Sequence, residues 1–305
     1  MGLELELKYL LGAAYAPQVG ELLNVYAKAG ASEEVALLNA YFDTPDHWFR
    51  RHDMGLRTRQ KHGRFEQTIK LAGQQHGALQ IRPEYNLPCA AIVPVLADFP
   101  AEIWPVATDL TTIQQQLTEL FSTDFVRQSW RLVLPNATIE VVYDKGEVRA
   151  GERRQVISEI EIELLTGEPA AVFDLAEFLL NALPMRTGWL SKAARGYQLY
   201  QNTTTPRPAA LPSTAQPALA LAAHLQRLQQ LENCFLQELA PELLSEAAQE
   251  LQWLANALTD EGQQLLASDA RTLARKLSEE GGVVFNNQAY HSLLLKISRL
   301  LLKHP

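Results

Sequence analysis

Side chains alternate between apolar and polar at every second position in short runs over the first two hundred residues, which predicts β-strands. Eight runs have this pattern: Leu3–Leu10, Leu38–Phe42, Gly55–Gln60, Phe65–Leu71, Leu79–Asn86, Phe125–Leu134, Thr138–Lys145 and Gln155–Leu165. Apolar positions three and four residues apart predict helices over Gln18–Ala29, Leu110–Leu120 and Pro169–Ala182. Many closely spaced strands with few helices between them predict an α+β domain dominated by antiparallel pairing.

The remainder of the chain has a different pattern. Residues 218–305 are rich in Leu, Ala and Gln at helical spacing, which predicts a small all-α helical bundle. Between the two parts, residues 201–217 (QNTTTPRPAALPSTAQP) lack periodicity and predict an extended Pro- and Thr-rich linker. A chain of 305 residues suits two domains. We therefore expect one domain over residues 1–200 and a second over residues 218–305.

The polar face of almost every predicted strand carries charges. In the first strand, Glu4, Glu6 and Lys8 share one face, because successive side chains of a strand point to opposite sides. Taken alone, this pattern is typical of an amphipathic strand with its polar side in water. The arrangement recurs, however, with ionisable side chains at Arg57, Arg59, Lys70, Arg82, Glu84, Arg127, Glu140, Asp144, Glu159, Glu161 and Glu163. This recurrence favours a sheet closed with its ionic faces inward and its apolar faces outward beneath helices.

The residue types on these faces indicate a bound polyanion. The carboxylates of Glu159, Glu161 and Glu163 repel one another and need cations, which either basic side chains or metal ions could supply. A purely structural barrel would gain little from burying so many charges, because desolvating them is costly. Arg and Lys match phosphate oxygens, and carboxylates suit Mg²⁺ or Mn²⁺. The sequence therefore predicts a tunnel in which metal ions bridge a phosphate compound to carboxylates.

Composition narrows the function and the location. The formal net charge of -8 argues against a general nucleic-acid-binding surface, which needs a basic face. Cys89 and Cys234 lie far apart, which predicts a reducing cytoplasm rather than a disulfide framework. No uncharged apolar run reaches the roughly eighteen residues of a spanning helix, and MGLELELKYLL lacks the pattern of a signal peptide or anchor. We expect a cytoplasmic protein with neither a nucleic-acid nor a membrane partner, and the sequence predicts no oligomeric state.

Several motifs, taken in their order along the chain, resemble the CYTH superfamily of triphosphate tunnel metalloenzymes. They are ELELK, GLRTR, TIK, RPE, DKGE, SEIEIEL and SKAARGY, which together run from residue 1 to about residue 200. The segments YFDTPDHWFRRHDMGLRTR and LSKAARGY resemble the bacterial inorganic triphosphatase branch in particular, in which a helical CHAD domain follows the tunnel domain. The resemblance implies an eight-stranded antiparallel closed β-tunnel with flanking helices. It also implies hydrolysis of inorganic tripolyphosphate to diphosphate and phosphate by a metal-activated water.

The matching motifs assign roles to the ionic residues. The resemblance implies that Mg²⁺ or Mn²⁺ is bound by Glu4, Glu6, Asp144, Glu161 and Glu163. It implies that phosphate oxygens are bound by Lys8, Arg57, Arg59, Lys70, Arg82, Arg127, Lys192 and Arg195. Catalytic roles are expected for Glu4, Glu6, Lys8 and Glu161, whereas Glu84, Glu140 and Glu159 fit the tunnel pattern without an assigned role. The general base is left open between a carboxylate and a lysine.

Other functions remain compatible with these motifs. Thiamine triphosphatases and class IV adenylyl cyclases share the implied fold, and would differ in groups at the tunnel mouth that the motifs do not include. A non-catalytic polyphosphate- or nucleotide-binding module would keep the basic side of the tunnel and lose the metal-binding carboxylates, all of which are present here. Residues 218–305 are shorter and more acidic than a CHAD domain, so we expect a shortened or divergent CHAD-like bundle.

Overall fold

The computed structural model describes the backbone of residues 2–211 and 217–302, and the side chains of these residues except 217–220. The strands are β1 (Gly2–Leu10), β2 (Glu33–Asp43), β3 (Gly55–Lys61), β4 (Arg64–Lys70), β5 (Gln74–His76), β6 (Leu79–Cys89), β7 (Thr118–Val133), β8 (Ala137–Ala150), β9 (Arg153–Gly167) and β10 (Arg186–Thr187). The α-helices are α1 (Ala16–Ala27), α2 (Trp48–Arg51), α3 (Leu110–Gln116), α4 (Ala170–Ala182), α5 (Lys192–Gln201), α6 (Pro217–Glu238), α7 (Glu242–Asp260), α8 (Gln264–Glu280) and α9 (Gln288–Leu302).

Eight of these strands form a closed antiparallel barrel. Its neighbours in order are β1, β9, β8, β7, β2, β3, β4 and β6, and β6 pairs with β1 to complete the circle. Strand β1 makes the closure because Gly2 to Leu7 pair with β6 while Glu6 to Leu10 pair with β9. The short strands β5 and β10 pair with β6 and β1. The predicted α+β fold with an eight-stranded antiparallel closed β-tunnel and flanking helices is confirmed, and the helical region α6–α9 follows it.

The apolar faces of the strands point outward and are covered by helices. Leu5 and Leu7 of β1 are buried in one cluster with Leu179 of α4. On another side, Leu56 of β3 is buried in a cluster with Ile113 of α3. Fully burying a Leu or Ile side chain contributes about 1.5–3 kcal/mol. The barrel is therefore stabilised from outside, which leaves its interior available for charged side chains.

Apolar side chains fill one end of the tunnel. Val148 and Ile157 continue the inward faces of β8 and β9 beyond the charged positions, and they pack with Tyr197 of α5. Gly196 lets α5 approach the strands closely, because a Cβ atom there would lie 2.0 Å from a ring carbon of Phe121. Helix α5, whose helical character the periodicity did not indicate, therefore packs against the apolar end of the barrel interior.

The helical region packs against the barrel. Leu295 of α9 belongs to the apolar cluster beneath α4, and Arg299 of α9 pairs with Asp174 of α4 at 2.6 Å. Lys296 and Glu177 form a second ion pair between the same helices, at 3.4 Å. None of the helices in residues 2–211 and 217–302 is long and apolar enough to span a membrane.

Most of the predicted linker lies against α6. Residues 203–211 form neither helix nor strand. The backbone N–H of Thr205 donates to Gln237 Oε1 at 2.9 Å, and Arg207 pairs with Glu238 at 2.6 Å. Residues 212–216 of the predicted linker lie outside the described residues, as do residue 1 of the predicted first domain and residues 303–305 of the second. The division into two domains stays a prediction.

Candidate active site

A cavity of about 340 Å³ lies inside the barrel, and ionic side chains line it. The predicted site residues on its wall are Glu4, Glu6, Lys8, Arg57, Arg59, Lys70, Arg82, Glu84, Arg127, Glu140, Glu161, Glu163 and Lys192. Barrel closure thus brings together side chains from β1, β3, β4, β6, β7, β8, β9 and α5. Three further predicted residues, Asp144, Glu159 and Arg195, do not line the cavity, and the first two are 0% exposed.

Three arginines form the basic side of the cavity. Nε of Arg57 and Nε of Arg82 are buried and have no hydrogen-bond partner among the described residues. Arg59 is held by Asn39, whose Oδ1 accepts from Arg59 Nε at 2.8 Å. Burial, together with the positive charges of Arg57 and Arg127, lowers the pKa of Arg59 to about 9. Unpaired N–H groups and repelling cations both fit an anionic ligand such as a phosphate group.

Asp144, Glu159 and Glu161, here called the neutralised cluster, are paired with basic side chains. Lys192 Nζ lies 2.6 Å from Asp144 Oδ2, 2.6 Å from Glu159 Oε1 and 2.8 Å from Glu161 Oε1. Arg127 binds both oxygens of Asp144 at 2.7 Å through Nε and Nη2. The same Nη2 donates to Glu161 Oε2 at 2.7 Å. Every carboxylate of this cluster therefore has a cation in direct contact.

Arg195 of α5 completes this network, because its Nη2 donates to Glu159 Oε2 at 2.8 Å. Burial by itself lowers the pKa of Lys192, but the three carboxylates outweigh it and raise that pKa above its ordinary value. Burial by itself raises the pKa of Glu161, but Lys192 and the neighbouring arginine hold it well below its usual range. Lys192 and Glu161 thus remain charged at neutral pH.

A second group of carboxylates, Glu4, Glu6 and Glu163, has fewer cations and is here called the acidic cluster. Glu6 of β1 pairs with Glu163 of β9 in the strand register, and Glu163 pairs with Glu140 of β8. Burial raises the pKa of Glu6 to about 7, and the charges of Glu161 and Glu4 add to the rise. Burial raises the pKa of Glu163 to about 8, with the charges of Glu4 and Glu6 adding to it. Repulsion among these carboxylates would be relieved by a bound cation.

Two bases reach the acidic cluster. Lys70 Nζ lies 2.6 Å from Glu4 Oε2 and 3.0 Å from Glu84 Oε2. Arg82 approaches Glu6 Oε1 only to 3.6 Å. Burial by itself raises the pKa of Glu84, but Lys70 and a neighbouring arginine lower it to about 2. Lys70 is thus shared between two carboxylates, and none of the ion pairs formed by the described residues includes Glu163.

The two clusters differ in their fit to a divalent metal ion. Oxygens of the neutralised cluster lie within 4.8 Å of one another, which is close enough to surround an ion. Lys192 Nζ already contacts all three of its carboxylates, so the ammonium has the place that an ion would take. The acidic cluster offers hard oxygen ligands without such a base at its centre. Its oxygens suit Mg²⁺ or Mn²⁺. Among the described residues, however, only Asp144, Glu159 and Glu161 place their oxygens within 4.8 Å of one another, so an ion at the acidic cluster would require the three glutamates to move closer together.

Lys8 lies between the two clusters and is 1% exposed. Its Nζ donates to the backbone oxygen of Leu190 at 2.6 Å. Burial lowers the pKa of Lys8 to about 8, although Glu159, Glu6 and Glu161 act to raise it. An ammonium with this pKa can lose or regain a proton near neutral pH, which an ordinary lysine does not do.

Several cavity residues were missed by the sequence reasoning, among them Tyr41, Arg50, Asn86 and Tyr197. The Arg50 guanidinium lies 5.4 Å from the centre of the Tyr197 ring. Asn86 Oδ1 accepts from the hydroxyl of Thr68 at 2.7 Å. Asn86 continues the alternation of the RPEYN run and shares its inward face, so extending that pattern could have found it. The other three belong to no alternating run of charged residues, so the strand pattern could not single them out.

Comparisons with known proteins agree with this architecture. A family model for the CYTH domain matches residues 2–197. An inorganic triphosphatase from Haemophilus influenzae is 39% identical over 204 residues, covering 64% of this chain and 54% of that protein. The chain thus spans about half the length of the curated relative it matches.

Solved structures resemble part of the chain at lower sequence identity. A putative adenylyl cyclase from Hippeastrum, described as having a dominant triphosphatase activity, is 19% identical with a TM-score of 0.49. That likeness covers 67% of this chain and 98% of the Hippeastrum chain. The PH1819 protein from Pyrococcus horikoshii is 19% identical with a TM-score of 0.41, covering 62% and 94% of the two chains. Because both TM-scores are below 0.5, the assignment of the fold depends on the strand pairing of this chain and not on these structures.

Proposed function

Because this chain belongs to the CYTH domain family, we propose that it is a hydrolase that cleaves inorganic tripolyphosphate to diphosphate and phosphate. The observation that carries the proposal is the composition of one cavity inside the barrel, in which arginines with unpaired N–H groups accompany an acidic cluster short of cations. Phosphate oxygens and a divalent cation would satisfy both sides together. Similarity to the Haemophilus influenzae inorganic triphosphatase supports tripolyphosphate as the substrate.

In this proposal the acidic cluster holds Mg²⁺ or Mn²⁺. Its three glutamates would supply the oxygen ligands that these ions prefer. A bound ion would neutralise phosphate charge and lower the pKa of the attacking water. Asp144 and Glu161, which the sequence also suggested as ligands, are instead proposed to orient Arg127 and Lys192, because those contacts occupy their oxygens.

The remaining residues of the cavity divide into binding and proton transfer. We assign phosphate binding to the three arginines of the basic side, Arg57, Arg59 and Arg82. Lys70, Arg127 and Lys192 also line the cavity and are assigned the same role. Lys8 Nζ, with its pKa lowered to about 8 by burial, is the group that would hold or accept a proton during hydrolysis. Arg195 does not line the cavity and is proposed to position Glu159.

Phosphate release from tripolyphosphate, ATP and thiamine triphosphate, each with Mg²⁺, Mn²⁺ or EDTA, tests the proposal. We expect an EDTA-sensitive preference for tripolyphosphate. Preference for thiamine triphosphate would indicate a thiamine triphosphatase instead, and production of cyclic AMP from ATP would indicate an adenylyl cyclase. Tripolyphosphate binding without turnover in any metal would indicate a non-catalytic module.

The variant Glu163→Gln tests the metal assignment. It removes the carboxylate that Glu163 would offer to a bound ion without changing the size of the side chain. We expect turnover to fall by about a hundredfold or more, as when a group that stabilises transition-state charge is lost. Glu152→Gln, in the exposed turn before β9, is the matched control and should leave turnover unchanged. Equal rates for Glu163→Gln and the unmodified protein would remove Glu163 from the metal site.

The cellular setting belongs to the same proposal. We propose a cytoplasmic protein that acts on a small-molecule triphosphate, without a nucleic-acid partner. The free cysteines Cys89 and Cys234 are compatible with a reducing compartment. The helical region is proposed to be a shortened or divergent CHAD-like bundle.

A further inference from the structure

Lys8 is held by two chain segments that lie on either side of it. The backbone N–H of Lys8 donates to the oxygen of Ala78 at 3.1 Å, beside the turn between β5 and β6. The backbone oxygen of Lys8 accepts from the N–H of Gly188 at 2.9 Å, and its Nζ donates to the oxygen of Leu190 at 2.6 Å. The second segment, residues 186–191, continues into α5 and so also carries Lys192.

Helix α9 of the helical region packs against both of these segments. On the first side, Gly77 lies so close to α9 that an added Cβ would be 2.2 Å from Ser298 Oγ. On the second side, the backbone N–H of Thr187 donates to His291 Nδ1 at 3.2 Å. The Thr187 hydroxyl lies 3.1 Å from the same nitrogen. The helical region therefore touches the supports of Lys8, and none of its described residues lines the cavity.

His291 is built to hold this contact in one arrangement. The ring is 0% exposed, and Nε2 lies 2.9 Å from the backbone oxygen of Phe285. Because Nδ1 accepts from a backbone N–H, the proton must be on Nε2, where it is donated to Phe285. Burial lowers the pKa of His291 to about 3, so the ring is neutral at neutral pH and keeps its acceptor.

We infer that His291 is a positioning residue for the proposed reaction, because it fixes the 186–191 segment and through it the ammonium of Lys8 and the start of α5. This inference rests on the proposed function, and it gives the helical region a role in the chemistry of the barrel. Displacement of a reacting group by about 1 Å can cost about a hundredfold in rate. Loosening the segment should therefore lower kcat more than it changes KM.

Two substitutions of similar polarity separate positioning from mere packing. His291→Asn places an amide oxygen near the position of Nδ1, where it can accept from Thr187. His291→Gln places its amide near Nε2 and leaves Thr187 without an acceptor. Arg299→Gln, which removes an ion pair of the same helix with α4, controls for weakened docking elsewhere. Leu258→Ala, in the core of the helical region, controls for general loss of stability.

Two readouts are measured on the full chain. The first is kcat and KM for tripolyphosphate. The second does not depend on turnover: it is hydrogen exchange of the amides of residues 187–191, together with the rate at which acetic anhydride labels Lys8. We expect His291→Gln to lower kcat about tenfold to a hundredfold, with KM changed about twofold at most, and to accelerate both exchange and labelling. His291→Asn should restore all of these, and the two control variants should leave them unchanged.

Two other results for the His291 variants would refute the inference, and two further cases are decided by a second measurement. If His291→Gln accelerates exchange while kcat is retained, the segment does not position the reacting groups. If His291→Asn is as impaired as His291→Gln, the role is packing alone. If the unmodified protein releases no phosphate, the proposed function fails, and exchange and labelling still decide whether His291 holds Lys8. If His291→Gln does not fold, Thr187→Val, which removes the hydroxyl contact alone, should show the same pattern at smaller size, and unchanged exchange would refute the inference.

Discussion

Lys192 contacts all three carboxylates of the neutralised cluster. Replacing Lys192 with methionine tests whether this side chain, rather than a metal ion, balances the charge of the three carboxylates. In the structure Nζ lies 2.6 to 2.8 Å from one oxygen of each of its three carboxylates. Asp144 and Glu159 are 0% exposed and Lys192 is 7% exposed, so the carboxylates that remain would be poorly hydrated. Methionine keeps a long apolar stem and removes only the charge and its donors.

The expected loss of stability is large. Breaking a buried ion pair by removing one partner costs about 3–5 kcal/mol, because the remaining charge stays buried. For a chain of this size, that corresponds to a fall in Tm on the order of 10 °C. The variant also creates an opening for a cation among three carboxylates. At a Mn²⁺ concentration a hundredfold above its Kd, binding there would restore about 2.7 kcal/mol.

The assay is thermal and urea unfolding of both proteins in EDTA and in Mn²⁺. Lys192→Met should be much less stable than the unmodified protein in EDTA, and Mn²⁺ should stabilise the variant by more than it stabilises the unmodified protein. Lys145→Met, at an exposed position beside Asp144 on β8, is the control and should change stability by about 0.5 kcal/mol at most. Equal stability of Lys192→Met and the unmodified protein in EDTA would refute the assignment of Lys192 as the neutralising cation.

Three further predictions concern the cavity and the helical region. Glu6→Gln should nearly abolish metal-dependent phosphate release while circular dichroism stays unchanged, and retained turnover would remove Glu6 from the metal site. Arg57→Ala should raise KM for tripolyphosphate by roughly tenfold, on the order of one charge-assisted hydrogen bond, and an unchanged KM and kcat would contradict its binding role. Burial raises the pKa of Glu232 to about 7 from 4.5, against the opposing effects of Arg186 and Tyr290. The folded state then binds more protons than the unfolded state between these pH values, so Glu232 stabilises fully below pH 4.5 and its contribution is lost as pH rises to about 7. Urea unfolding of the unmodified protein and Glu232→Gln at both pH values measures this effect. From pH 4 to pH 8 the unmodified protein should lose about 3 kcal/mol of unfolding free energy relative to Glu232→Gln. The same free-energy difference between the two proteins at both pH values would show that the pKa is not raised.

The strands could be predicted because their signal is local. Alternating charges along β1 and β9 identify both a strand and its inward face, and each of the eight predicted strands has a counterpart in the barrel. Helix α3 ends at Gln116 rather than at Leu120, because β7 begins at Thr118 and includes Leu120, the last apolar residue of the run. Strands β5 and β10 are short and form only where β6 and β1 offer an edge, so no local pattern marks them.

The sequence could not predict which carboxylates of the cavity pair with a basic side chain and which do not. Glu161 and Glu163 occupy equivalent alternate positions in the sequence, yet one contacts Lys192 and the other faces Glu6 across the strand pair. The difference arises from the register of β1 against β9 and from the position of α5. His291 was equally hidden, because its partner Thr187 lies 104 residues away.

The pairing of β1 also has a consequence for how the protein is made. Lys8 pairs with Glu161, so β1 leaves the ribosome about 150 residues before its partner β9. At 5–20 residues per second, the delay is roughly 10–30 s. Throughout that time β1 has no strand β9 beside it, although β6, its other neighbour, is made earlier. Barrel closure therefore depends on a late pairing between distant parts of the chain, and such pairings form slowly. Chaperones that recognise exposed strands could bind β1 before closure.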